Sequence, residues 1–196
     1  MPKDEEVGAI RIELLGHVVI VAGLRDVVVE EPAALIEALR AREELKGLSF
    51  QLLDAGLVAG PEHLLIAVLN ALRALELGLN VASDLGLEIL TFASGQRQIS
   101  EAIRSLGLKP GRMDVALVLV AGSRREAEGG LRSLVEALGG EEDDGVLEVD
   151  DEKAGRLVEA YGIGSRELSS CGRLGSLPDV VRWLVVEKVA LSMAYR

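Results

Sequence analysis

The residues of this chain best suited to chemistry lie in one short stretch, Ala93-Ser94-Gly95-Gln96-Arg97-Gln98-Ile99. Ser94-Gly95 reads as a sharp strand-to-helix turn that delivers a helix N-terminus. Free amide groups and the helix dipole make such a point an anion site. Arg97 adds a planar fork that fits phosphate or carboxylate. Gln96 and Gln98 supply amide groups able to read a base edge. The structural alternative is a helix whose own N-terminus is satisfied by Ser94.

The other reactive residue types are sparse. His17 and His63 are far apart in sequence, and neither sits in an H-E-x-x-H motif. Zinc sites normally draw on several His and Cys. His63, in the first turn of an apolar helix, reads as structural. Cys171 is the one cysteine and falls in a Gly/Ser-rich segment, where a nucleophile would need a neighbour to lower its pKa. Glu141-Glu142-Asp143-Asp144 lacks the spacing of a calcium loop and reads as a solvated turn. There is no phosphate-binding G-x-x-x-x-G-K-[ST] loop, no G-x-S-x-G elbow and no dinucleotide fingerprint. No catalytic residue, metal or cofactor is expected.

These residues need elements to hold them. Ile10 to Leu15 and Val18 to Ala22 form a hairpin through Gly16-His17, and Val27 to Val29 a third short strand. Pro32 opens a helix whose apolar positions run to Leu45, closed by Gly47. Leu48 to Leu53 are a strand. A helix over 61–77 is apolar around most of its circumference and should be buried on several sides. Leu87 to Ala93 form a strand, and Gln96 to Leu106 a helix closed by Gly107. Val115 to Ala121 are a buried strand, 124–138 a helix, Val146 to Val149 a short strand and 151–160 a helix. Residues 161–177 read as a mobile connection. Pro178 starts a last helix whose apolar residues exceed one core face, which suggests a second face for a partner. The order implies an α+β class: an antiparallel or mixed central sheet flanked by helices, in a single domain over 9–196 after a flexible tail, 1–8.

The 196 residues suit about one domain, and 49% hydrophobic with 27% charged residues describe an ordinary folded protein. The formal charge of −11 argues against a protein that coats duplex nucleic acid, and aromatics at 3% leave few stacking platforms. The charge is unevenly spread. Residues 94–125 hold six basic residues against two acidic ones, whereas 126–152 hold eleven acidic residues and one arginine. A local basic patch can attract phosphate while the rest repels it. No apolar run reaches the length of about 18 residues needed to span a bilayer, and Met1-Pro2-Lys3-Asp4-Glu5-Glu6 lacks the basic-then-apolar order expected of a signal peptide. A single cysteine fits a reducing, cytoplasmic setting. Two Asn and three Gln in the whole chain fit either a hot habitat or a GC-rich genome.

Several segments together resemble the kinase-binding small subunit of the KEOPS complex, the PRPK-binding protein family, in its archaeal form. They are Gln51-Leu52-Leu53-Asp54-Ala55, Val58-Ala59-Gly60, Glu62-His63-Leu64-Leu65, Arg73-Ala74-Leu75, Asn80-Val81-Ala82 and Glu88-Ile89-Leu90, leading into Ala93 to Ile99. Glu101-Ala102-Ile103, Asp143 to Glu148 and Val186 to Leu191 extend the match over about 48–194. Leu75 stands where many members carry Phe, and Asp54 where many carry Asn.

The resemblance implies a non-catalytic regulatory subunit. It would bind the N-lobe of a small atypical kinase/ATPase and, through it, join the threonylcarbamoyl-transferase and dimerising subunits. The complex makes threonylcarbamoyl-adenosine in tRNA, and this subunit would bind the tRNA 3′ CCA end. The motif residues Gln96, Arg97, Gln98 and Ile99 are the expected tRNA contacts, with Arg104 and Lys109 added from charge alone. Leu64, Leu65, Val68 and Leu72, with Ile103 and Leu106, are the expected kinase contacts. Two rivals remain: a small enzyme holding a phosphorylated metabolite at Ser94–Arg97, and a protein adaptor without RNA contact.

Overall fold

The computed structural model describes residues 9–171 and 175–195. The tail expected over 1–8 lies outside them. Five antiparallel strands make an open sheet in the order β1-β2-β4-β3, with a short β5 also on β2. They are β1 (Ile10–Leu14), β2 (His17–Val29), β3 (Ser49–Asp54), β4 (Gly111–Ala121) and β5 (Glu141–Glu142). The helices are α1 (Pro32–Arg40), α2 (Pro61–Leu77), α3 (Leu85–Ala93), α4 (Ile99–Leu106), α5 (Arg124–Leu138), α6 (Asp151–Ala160), α7 (Ser165–Cys171) and α8 (Leu177–Ser192). The architecture is the α+β class read from the sequence.

The long apolar runs of β2 and β4 follow from burial on both faces. Val19 and Val21 of β2, with Ala116, Val118 and Val120 of β4, face one core shared with α2, α3 and α4. Ile20, Ala22 and Leu24, with Val115, Leu117 and Leu119, face the other, shared with α5. An antiparallel strand with one wet face would alternate apolar and polar residues; these do not, because helices cover both sides. The β1–β2 hairpin forms as expected, but it turns on Leu15 and Gly16, with φ of 49° and 78°, one residue earlier than Gly16-His17, and His17 already belongs to β2. Positive φ at both positions matches the twist of the flanking strands.

Four expectations need correction. Val27–Val29 is not a separate strand but the end of β2, beyond a bulge between Leu24 and Val27. The helix expected to reach Leu45 stops at Arg40, and Glu43–Leu45 form a separate 3-10 turn. Residues 87–93 are helix, not strand. Asp84 caps α3 by accepting the Leu87 amide at 2.9 Å, and the short apolar run had hidden the helical period. The strand expected at 146–149 is replaced by a 3-10 turn at Asp144–Leu147, started by Asp143. The acidic loop is correspondingly structural. Asp143 pairs with Arg25 at 2.6 Å, and Asp144 accepts the Gly23 amide at 2.6 Å. Within 161–177, residues 165–171 form α7, and half-buried Cys171 packs on a third cluster with α6 and α8. Residues 172–174 lie outside the described residues.

The seat of α3 is tight. A Cβ at Gly86 would stand 2.3 Å from the Phe50 carbonyl oxygen of β3. Gly86→Ala is therefore expected to destabilise the protein by about 2 kcal/mol, read as a lowered urea midpoint at constant slope. An unchanged midpoint would show that α3 can shift freely on β3.

Candidate functional site: the α3–α4 junction

The segment Ser94–Gln98 joins two helices rather than a strand and a helix. Ser94 does not cap the helix that follows. Its hydroxyl donates back to the Thr91 carbonyl at 3.2 Å and accepts the Gln96 amide at 3.3 Å, which closes α3. The chain turns at Gly95, whose φ of +66° suits glycine. Gln96 to Gln98 are non-helical, and α4 begins at Ile99 with Gln98 as N-cap and no side-chain cap bond. The first-turn amides of α4 are thus left for water or a ligand.

Arg97 and Gln98 are exposed, and Gln96 and Ile99 half-buried. Among the described residues, Arg97 has no ion pair or hydrogen bond. A free guanidinium beside uncapped amides can bind an anion such as a phosphate oxygen.

The remaining basic residues divide. Arg104 is exposed and pairs with Glu101 on α4. The Lys109 ammonium donates to the Ile103, Arg104 and Gly107 carbonyls at 3.3, 2.7 and 3.0 Å. It thus closes the C-terminus of α4, where a cation also suits the dipole. Arg112 lies 3.8 Å from Asp26. Arg124 and Arg125 open α5, at the other end of β4 from Arg112. Ten strand residues separate those ends by about 33 Å. The basic segment 94–125 is therefore not one patch. The junction shares the β4-start end with Lys109: α3 begins against Phe50, opposite Leu119, and ends against His63, beyond Asp54, opposite Val115.

The residues expected to meet a kinase divide as well. Leu64, Val68, Leu72 and Leu106 are core, at 0, 0, 6 and 1% exposure, because the sheet, α3 and α8 pack around them. They offer no surface. Leu65 is half-buried and Ile103 is 46% exposed. Other large apolar residues are also exposed: Leu77 and Leu79 at and after the end of α2, Trp183 and Leu191 on α8, and Tyr195 just beyond it. Helices α2 and α8 pack side by side in the same direction. The Arg182 side chain lies by Gly60 at one end, and the Asn70 amide donates to the Val189 carbonyl at 2.8 Å further along. Leu77 lies about 10 Å beyond Asn70 and Tyr195 about 9 Å beyond Val189 at helical rise. Leu77, Leu79, Leu191 and Tyr195 thus share one end of the pair, while Trp183, next to Arg182, lies towards the other. The α8 part was legible as an apolar surplus, but its alignment with α2 was not.

His63 is fully buried, as the sequence implied. Its pKa is lowered to about 4, chiefly by burial, against the raising effect of the Ala93 carbonyl, and further by Lys153. Lys153 is itself buried, donates to the Val146 carbonyl at 2.9 Å and is lowered to about 8, mainly by desolvation. Among the described residues, no group of three or more His, Cys, Asp or Glu is placed to hold a metal ion. The crevice beside the junction, between Ser94, Ser105, Leu57 and Tyr161, measures about 10 Å³. That is room for about one water, not for a metabolite. No described helix is long and apolar enough to cross a membrane.

Fold and site together define an α+β protein with helices on both faces of an open antiparallel sheet, an arginine-bearing helix junction and an apolar helix pair. Over residues 25–191 the sequence matches the family model of the kinase binding protein CGI-121, and the chain belongs to that family. It is also similar to the regulatory protein Cgi121 of Methanocaldococcus jannaschii, with 39% identity over 145 residues, or 74% of this chain and 83% of that protein.

Proposed function

We propose that this chain is a non-catalytic, cytoplasmic kinase-binding subunit of a KEOPS-type complex that also recruits tRNA by its single-stranded 3′ CCA end. One observation carries the RNA half of this reading. The motif residues Gln96–Ile99 lie on an exposed junction where an unpaired arginine adjoins uncapped helix amides. Such a site suits one or two phosphates of a flexible tail, not a duplex. Membership of a family described as kinase binding, with the apolar end of the α2–α8 pair, supports the kinase half. The 10 Å³ crevice gives a metabolite-binding enzyme no support.

Arg97→Glu is expected to weaken binding of CCA-ended tRNA about tenfold and to flatten its salt dependence by about one charge. The melting temperature should stay within about 2 °C, since the side chain is exposed. Titration of tRNA with and without its CCA end reads the result. Equal binding of the two RNAs would sink tail recognition and favour a protein adaptor. A lowered melting temperature with unchanged RNA affinity would make Arg97 structural.

A further inference from the structure

The end of α3 is held more firmly than a surface junction requires. The Gln96 amide donates to the Thr91 carbonyl at 3.1 Å and the Gly95 amide to the Phe92 carbonyl at 3.0 Å. This pair is the Schellman closure, and it leaves the Ala93 carbonyl without a helical donor. Two side chains from distant elements converge on that oxygen. His63 Nε2–H, in the first turn of α2, donates to it at 2.8 Å. The Tyr161 hydroxyl, at the C-cap of α6, reaches it at 3.1 Å and shares its proton with the Leu57 carbonyl, also at 3.1 Å.

The histidine tautomer follows from its other nitrogen. Nδ1 accepts the Ala59 amide at 3.1 Å, so the proton resides on Nε2. The two rings meet edge to face at 5.6 Å between centroids. Tyr161 packs with the α6–α8 cluster and α2 with the main core, so the Ala93 carbonyl is braced from two sides. Beyond it, the side chains of Gln96, Arg97 and Gln98 make no hydrogen bond to the described residues. The pose of that segment therefore depends on its two ends, and Arg97 is only four residues past the brace.

We infer that His63 and Tyr161 are positioning residues: their shared grip on the Ala93 carbonyl sets the Gln96–Gln98 segment so that Arg97 and the first amides of α4 face one anion. This rests on the RNA reading of the junction. The test is Tyr161→Phe in the full chain, which keeps the ring and removes one donor, compared with the parent protein.

Hydrogen exchange at the Gly95 and Gln96 amides, which close α3 on Phe92 and Thr91, is expected to rise about tenfold, with α5 unchanged. Affinity for CCA-ended RNA should fall about fivefold, with the salt slope retained because no charge is lost. Kinase capture should be unaltered. Unchanged exchange at Gly95 and Gln96 would overturn the brace. Faster exchange with unchanged RNA affinity would overturn its positioning role. Failure of the underlying RNA reading shows separately, as an Arg97→Glu protein that binds RNA normally.

Discussion

Exchanging Leu77 and Leu191 together for arginine is expected to lower affinity for the partner kinase about 100-fold, close to 2.8 kcal/mol. Leu77 is 64% exposed and Leu191 52% exposed, so neither holds the core together. Soluble proteins seldom expose grouped large apolar side chains without a partner to cover them. These two lie at the same end of the parallel α2–α8 pair, near Leu79 and Tyr195. Arginine there would have to be desolvated against an apolar partner surface, a cost that truncation to alanine would not impose. The measurement is calorimetric titration of the kinase subunit, with thermal melting alongside. A melting temperature within about 2 °C of the parent is expected for substitutions at open positions. Full-strength binding by the double variant would move the interface elsewhere, with exposed Ile103 on α4 the next position to change. Arg97→Glu should leave kinase affinity alone, because the α3–α4 junction is separate from this end. The two proposed functions should thereby be separable by mutation.

How much of this was legible in the sequence depends on the range of the interaction. The bounds of α2 were readable because Gly60-Pro61 and Gly78 punctuate a long apolar period, and the structure places the helix at Pro61–Leu77. The hairpin and the buried run of β4 were readable for the same local reason. Helix α3 was not, because Leu87-Glu88-Ile89-Leu90-Thr91-Phe92 mixes β-branched and aromatic residues in a run too short to show a period. The cap at Asp84 was the signal that could have found it. Contacts far apart in sequence were invisible. Leu64, Val68 and Leu72 look like a partner face until the sheet, α3 and α8 enclose them. Lys109 looks like a free cation until its ammonium is seen on three carbonyls of α4 and its exit. Tyr161 begins a stretch rich in Gly and Ser, yet its hydroxyl closes a contact across 68 residues.

Acidification should destabilise the protein through His63 alone by about 3 kcal/mol between pH 6.5 and pH 4. The native pKa is near 4 and the unfolded value near 6.5. Above pH 6.5 the ring is neutral in both states and contributes no pH dependence. As pH falls below 6.5 the unfolded chain takes a proton that the native state refuses. Stability is therefore lost progressively down to the native pKa, at about 1.4 kcal/mol per pH unit. The refusal has a geometric cause besides burial. A second proton would have to sit on Nδ1, which already accepts the Ala59 amide, so two N–H groups would point at each other. Lys153 adds repulsion from the same side of the energy balance. Urea titrations at pH 7 and pH 5 should differ by about 2 kcal/mol more in the parent than in His63→Gln, which cannot titrate. The variant will be weaker at both pH values, but the comparison uses only the difference between them, which cancels carboxylates common to both proteins. An equal pH response in the two proteins would mean that the native ring can take its proton without leaving the Ala93 carbonyl, and the fixed tautomer at the root of the α3–α4 junction would have to be abandoned.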